Sequence, residues 1–228
     1  MKAEESELVI SWSLELEERL ENLLETVPYR PDTVNLFFPP LVSILLDSCS
    51  ILDAVFRDQY DGKAKRDDLN FKDYAHEFEP KLGLQSCRTI LLKHPPEFLE
   101  PFSGWIDPNG SFQSLDWWQD HNDVKHDRIM HSNKATLRNC VLSLCALHQT
   151  VSQLECFFRA AKRHNLLHFG GWNEKHMEEF LYSDPEGVTV LFESSLFATP
   201  IGSRSFPDDI ETVDPYMFGK GKKLWRYF

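Results

Sequence analysis

One short segment of the chain concentrates side chains that can bind anions and exchange protons. Residues 117–128 have the sequence WWQDHNDVKHDR. If they form a helix, His121, Lys125 and Arg128 line one face of it. A histidine can exchange a proton near neutral pH while an ammonium and a guanidinium hold a phosphate. This combination suits metal-free RNA cleavage, in which a 2′-hydroxyl attacks and a base and an acid are needed.

The same helix places Trp118, Asn122 and His126 at four-residue steps along an adjacent face. His126 is the candidate acid or base, and Asn122 would position its ring or the substrate. Each of these residues also has an ordinary structural interpretation. Trp117 and Trp118 either pack in the core or stack on a base. His126 can be a buried, hydrogen-bonded ring. The functional interpretation therefore depends on the number of polar groups within twelve positions and not on any one residue.

Other kinds of catalytic site are disfavoured by the spacing. His121, His126 and His131 recur every five residues, and on a helix each such step turns the ring by roughly 140°, so the three rings diverge. Neither an H-E-x-x-H zinc motif nor a G-x-S-x-G nucleophile motif is present. We therefore predict neither a metal nor a cofactor.

Apolar periodicity predicts the elements that position this segment. Pro28 is expected to end the first helix, and Asp116 and Asn133 to cap later ones. The predicted helices span residues 5–27, 41–59, 71–78, 117–128 and 134–163. The fold class is predicted to be mainly α, an up-and-down bundle of four to five helices over residues 1–171. Residues 172–228 are predicted to be an irregular C-terminal appendage with one short strand, at 188–197.

Composition limits where the protein works and what it binds. The net charge is −12, which argues against a polyanion partner, but the charge is unevenly distributed. Residues 1–60 carry 12 acidic side chains against 4 Lys and Arg, giving −8, whereas residues 121–170 carry 3 against 7, giving +4. Five cysteines without a C-x-x-C pair, and a start without a signal peptide, predict a soluble cytoplasmic protein without a membrane segment.

The stretch WWQDHNDVKHDR, followed by NKATLRNCVLSLCALHQTV, resembles uncharacterised bacterial proteins with a W-W-x-x-Y-N-x-V-K-H-D-R signature. Those proteins are similar to the HEPN (higher eukaryotes and prokaryotes nucleotide-binding) group. The resemblance covers residues 40–160, and its specific part is the twelve residues 117–128. It implies a homodimeric helical bundle with its polar motif in a cleft between protomers. Members are metal-independent endoribonucleases of toxin or defence systems, or inactive binding and dimerisation modules.

The resemblance also assigns roles within the motif. The catalytic pattern of the group is an arginine, a polar residue, and a histidine four to six positions after the arginine. Asn122 matches the polar position and His126 the histidine, but His121 stands where the arginine is expected. A histidine is not a permanent cation, so Lys125 or Arg128 would have to supply the charge.

Two partners therefore remain open at this stage, RNA and another protein. RNA binding by an active or inactive HEPN-like domain is the leading hypothesis. A non-catalytic interaction module is the alternative, and the net charge favours it. Asp47 and Asp53 of the second helix are candidates to lie opposite the motif, where at most one of them could orient His126 or Arg128. The alternative is that each is exposed to solvent.

Overall fold

The computed structural model describes residues 1–62, 65–93, 96–169 and 190–201, together with residues 206 and 210. Seven α-helices and five short strands lie within these residues. The helices are α1 (Ala3–Thr26), α2 (Pro39–Gln59), α3 (Phe71–Leu82), α4 (Asp116–His126), α5 (Arg128–His131), α6 (Leu137–Gln153) and α7 (Phe158–Arg163). The strands are β1 (Thr89–Leu91), β2 (Glu97–Leu99), β3 (Leu167–Phe169), β4 (Val190–Glu193) and β5 (Phe197–Pro200).

The first two helices form as their apolar periodicity predicts. α1 buries one stripe, which includes Leu16, Leu20 and Leu24. α2 begins with Pro39 and Pro40, where a missing backbone N–H costs no helical hydrogen bond. The predicted spans 5–27 and 41–59 are confirmed to within two residues at each end.

The centre of the molecule is the packing of α2 against α6. The hydroxyls of Ser48 in α2 and Ser143 in α6 are 2.8 Å apart, and the thiol of Cys140 donates to the carbonyl of Leu41 at 3.2 Å. α2 is the one helix among the described residues that is long and apolar enough to cross a membrane. Half of its most apolar stretch is buried inside the structure. In this structure α2 packs as a helix of the core.

The prediction of a simple helical bundle is wrong, because a five-stranded antiparallel sheet completes the fold. The strand order is β2-β1-β5-β4-β3. Ile90 of β1 pairs with Ala198 of β5, so the middle of the chain is joined to residues near its end. Among the described residues, 190–201 are therefore an integral part of the sheet rather than an irregular extension. Of the predicted strand 188–197, the described residues form β4 and the turn at 194–196 that leads into β5 at Phe197.

The segment between α3 and α4 contributes two large aromatic side chains to the core. α3 continues through Pro80 to Leu82 and ends at Gly83, whose φ of 59° is the left-handed conformation that glycine adopts readily. Phe102 and Trp105, which follow β2, are fully buried against Phe56 of α2. The residues that follow β2 are thus a packed part of the core.

The bounds of α4 and α6 differ from the prediction. α4 starts at Asp116 without a side-chain cap and ends at His126, because Asp127 leaves the helical conformation (φ −143°, ψ 86°). α6 starts at Leu137 rather than residue 134, and the Thr136 hydroxyl caps it by accepting from the N–H of Asn139. It ends at Gln153, so the predicted helix 134–163 is divided into α6 and α7.

Candidate functional site

The inward face of α4 consists of Trp117, Trp118, His121 and Val124, all buried. These positions recur at steps of three and four residues, which is the spacing of one helix face. The ring of Trp118 stacks on that of Phe71 with centroids 4.0 Å apart. The indole N–H of Trp117 donates to the carbonyl of Pro101 at 2.8 Å. Both tryptophans are therefore core residues and neither offers a ring on which a base could stack.

His121 lies in the interior, not beside the other candidate residues. Its side chain is only 3% exposed, and its Nδ1 has no hydrogen-bond partner in the described part of the chain. Burial, and secondarily the charge of Lys125, lower the pKa of His121 from 6.5 to about 4. The imidazole is neutral near pH 7 and cannot hold a phosphate. The structure thus corrects the expectation that His121, Lys125 and Arg128 line one face.

The end of α4 and the start of α5 carry three exposed polar side chains, Lys125, His126 and Arg128. Within the part of the chain that the structure describes, none of these three side chains forms an ion pair or a side-chain hydrogen bond. Asn122 lies one turn earlier and is half-buried. We call Lys125, His126 and Arg128 the α4–α5 junction. Three of the five candidate residues are thus exposed within four positions of the chain, whereas Asn122 is partly covered and His121 is enclosed.

The acidic residues within and just before the junction contact other groups. Lys134 is paired with Asp120 at 3.1 Å and with Asp123 at 2.5 Å. The hydrogen bond to Lys134 lowers the pKa of Asp123, so that carboxylate stays ionised and neutralised by its partner. Asp127 accepts the backbone N–H of Met130 at 3.0 Å, which caps α5. These contacts leave the charges of Lys125 and Arg128 without a paired carboxylate.

A second network holds α4 in place against α6. The amide of Asn139 donates to Asp120 at 2.8 Å and to the carbonyl of Lys134 at the same distance. Asn139 and Lys134 were not among the predicted site residues. Their contacts with Asp120 form only because α4 and the start of α6 lie close together in the fold. No spacing along the sequence indicates this proximity.

The residues that follow the junction expose apolar side chains. Ile129 is 91% exposed and Met130 is 70% exposed. Both lie in the four-residue helix α5. Sequence reasoning missed these two residues, although an apolar pair directly after Arg128 in a polar stretch was a visible signal.

Neither Asp47 nor Asp53 of α2 contacts the junction. Asp53 accepts the hydroxyl of Tyr74 at 2.9 Å and pairs with Arg57 at 3.1 Å. Asp47 pairs with Arg19 at 3.4 Å. The expectation that one of them would orient His126 or Arg128 is wrong. Asp53 does affect the segment, because its charge opposes the lowering of the pKa of His121.

Among the residues that the structure describes, no group of three or more His, Cys, Asp or Glu side chains lies close enough together to hold a metal ion. The five cysteines are free thiols, and burial raises the pKa of Cys140 and of Cys145 well above the ordinary value. Buried thiols of this kind are unreactive.

Comparison of the chain with protein-family models, curated proteins and solved structures finds no match. The resemblance to the HEPN group therefore stays a prediction, based on residues 117–128.

Proposed function

We propose that this protein is a HEPN-like, RNA-associated protein that contacts the phosphate backbone through the α4–α5 junction. The proposal rests on three exposed side chains within four positions, Lys125, His126 and Arg128. The nearby carboxylates contact Lys134 or a backbone N–H instead of these cations. Phosphate contacts by Lys and Arg dominate the affinity of most nucleic-acid-binding proteins. Lys125 and Arg128 also lie within residues 121–170, which carry a net charge of +4 on a chain of net charge −12, so we expect a polyanion to contact this part of the chain.

The finer proposal is that the protein is a metal-independent endoribonuclease of a defence or toxin system. His126 would be the acid or base, Lys125 and Arg128 would hold the phosphate, and Asn122 would position the ring or the substrate. The buried neutral His121 cannot replace the arginine of the HEPN pattern, so Arg128 is the residue that supplies a permanent cation. The free thiols fit the cytoplasmic location that this role requires.

Binding of fluorescein-labelled single-stranded RNA, followed by fluorescence polarisation, tests the coarser proposal. We expect affinity to fall steeply between about 50 mM and about 200 mM salt as counterions compete for the phosphates. Cleavage is tested separately with His126→Ala, which should abolish RNA cleavage and leave the circular-dichroism melting curve unchanged, because this ring is exposed. Absence of RNA binding even at the lower salt concentration would exclude the proposal.

The exposure of Ile129 and Met130 favours a second candidate, a non-catalytic dimerisation or protein-interaction module. Two neighbouring large apolar side chains in water are typical of a surface that another molecule covers. On this hypothesis the α4–α5 region pairs with a second copy, as in the homodimers of the HEPN group. Light scattering of Ile129→Ser/Met130→Ser tests it. A wild-type dimer that becomes a monomer in this variant supports the module, and a wild-type monomer at all concentrations excludes the homodimer.

A further inference from the structure

A second surface, remote in sequence from the junction, lies on the outward side of α1. Leu8 is 50% exposed and Trp12 is 48% exposed. They are four residues apart, so they lie one above the other on the same helix face. Trp is the residue type that most often anchors a protein interface when its partner buries it.

A pocket of about 230 Å³ opens beside Trp12 between α1 and α2. Leu16 and Ile51 contribute apolar lining, and Arg19 and Asp47, an ion pair with 3.4 Å between nitrogen and oxygen, lie at the same pocket. We call this pocket, together with Leu8, the α1–α2 groove. A groove between two packed helices is the usual receptor for the apolar face of a third helix.

The charge around the groove selects the kind of helix that fits. Glu15 lines the pocket, and Glu18 lies one turn further along α1. Both carboxylates are exposed and, within the described residues, neither forms an ion pair. Such a surface repels nucleic acid, and two copies facing each other would bring these glutamates together. The complementary partner carries lysines or arginines.

We propose that the α1–α2 groove binds a basic amphipathic helix of a partner protein. A large apolar side chain of that helix enters the pocket beside Trp12, and its cations face Glu15 and Glu18. The proposal is independent of RNA binding, because the groove contains none of the junction residues.

The test uses the full chain and a fluorescein-labelled synthetic helix with leucines along one face and lysines along the other. Fluorescence polarisation should show saturable binding. Trp12→Ala should weaken it roughly tenfold or more, since truncating an anchoring Trp has an effect of that size. Glu15→Gln/Glu18→Gln should weaken it and reduce its salt dependence.

Matched controls separate the groove from general attraction to an acidic protein. Glu25→Gln removes an exposed carboxylate from the same helix, and Leu36→Ala removes an exposed apolar side chain outside the groove. Both should bind the lysine peptide as the wild type does. A peptide with glutamates in place of the lysines should not bind. Binding that Trp12→Ala leaves unchanged, equal binding of both peptides, or no binding of the lysine peptide would overturn the proposal.

RNA binding of the same variants distinguishes this proposal from the proposed function. Trp12→Ala and Glu15→Gln/Glu18→Gln should retain wild-type affinity for labelled RNA. Conversely, Lys125→Ala/Arg128→Ala should bind the lysine peptide normally. Loss of both activities in Trp12→Ala would contradict a separate groove.

Discussion

A carboxylate oxygen of Glu17 in α1 lies 3.4 Å from Nδ1 of His148 in α6, and both side chains are almost completely buried. The other oxygen of Glu17 accepts the backbone N–H of Leu196 at 3.4 Å, between β4 and β5. Nε2 of His148 lies 3.2 Å from the carbonyl of Phe192 in β4 and donates to it. This pair therefore joins two helices to the sheet through polar contacts that water does not reach.

Removal of one partner should strongly destabilise the fold. We expect Glu17→Ala to lower the free energy of unfolding by about 3 kcal/mol, because the N–H of Leu196 loses a buried acceptor and the buried ring of His148 loses its polar neighbour. Glu18→Ala, on the exposed side of the same helix, should change it by less than about 0.5 kcal/mol. Urea unfolding followed by circular dichroism measures both.

A double-mutant cycle separates this interaction from the loss of packing. The double variant Glu17→Ala/His148→Ala should lower the free energy of unfolding by less than the sum of the two single variants. In the double variant both partners are absent, so neither side chain is left buried without the other. Strict additivity would contradict the proposed coupling of Glu17 and His148.

Stability should depend on pH through His121. Its pKa of about 4 in the folded chain lies below the ordinary value of 6.5. Between these values the unfolded chain binds a proton that the folded chain excludes, so stability is lost as the pH falls through this window. From about pH 7 to about pH 5, this one group should remove about 2 kcal/mol from the free energy of unfolding.

The variant His121→Leu isolates this contribution from that of the carboxylates. Urea unfolding of both proteins at the two pH values should show a smaller pH dependence in the variant, by about 2 kcal/mol. His126→Leu is the control at an exposed position, and its pH dependence should match the wild type. An identical pH dependence in His121→Leu would mean that the ring titrates normally and is not enclosed.

Trp118 is buried and Trp12 is half-exposed, so their replacement should change stability by different amounts. Trp118→Ala should destabilise the protein by about 3 kcal/mol or more, because it empties a site stacked on Phe71. Trp12→Ala should cost about 1 kcal/mol or less, since nearly half of that side chain is in water. Thermal melts followed by circular dichroism compare them. A stable Trp118→Ala protein that had lost only RNA binding would instead assign that ring to base stacking.

Local sequence predicted the helices better than it predicted the sheet. Leu16, Leu20 and Leu24 mark α1 by their spacing, and Pro39 marks the start of α2. The strands β1 and β2 have only three residues each, too few to show an alternating pattern. The pairing of β1 with residues near 198 depends on contacts more than 100 positions apart, which no local pattern reveals.

The candidate segment was predicted as a helix, but its orientation was not. With Trp at both 117 and 118, the periodicity allows either tryptophan to define the inward face. Val124, buried together with His121, is the apolar residue that indicates the inward direction. The break at Asp127 was missed because an aspartate within a polar run gives no helix-ending signal as strong as Pro or Gly.

The salt dependence of RNA binding in the junction variant tests the central claim most directly. Polarisation titrations with single-stranded RNA would compare the wild type, Lys125→Ala/Arg128→Ala and the control Lys72→Ala/Lys162→Ala, which removes two exposed lysines from α3 and α7. We predict that the junction variant binds more weakly, and that its slope of log affinity against log salt is smaller by about 1.4, because two phosphate contacts are lost. The control should behave as the wild type. Equal affinities and slopes for all three proteins would contradict a phosphate-binding surface at the α4–α5 junction.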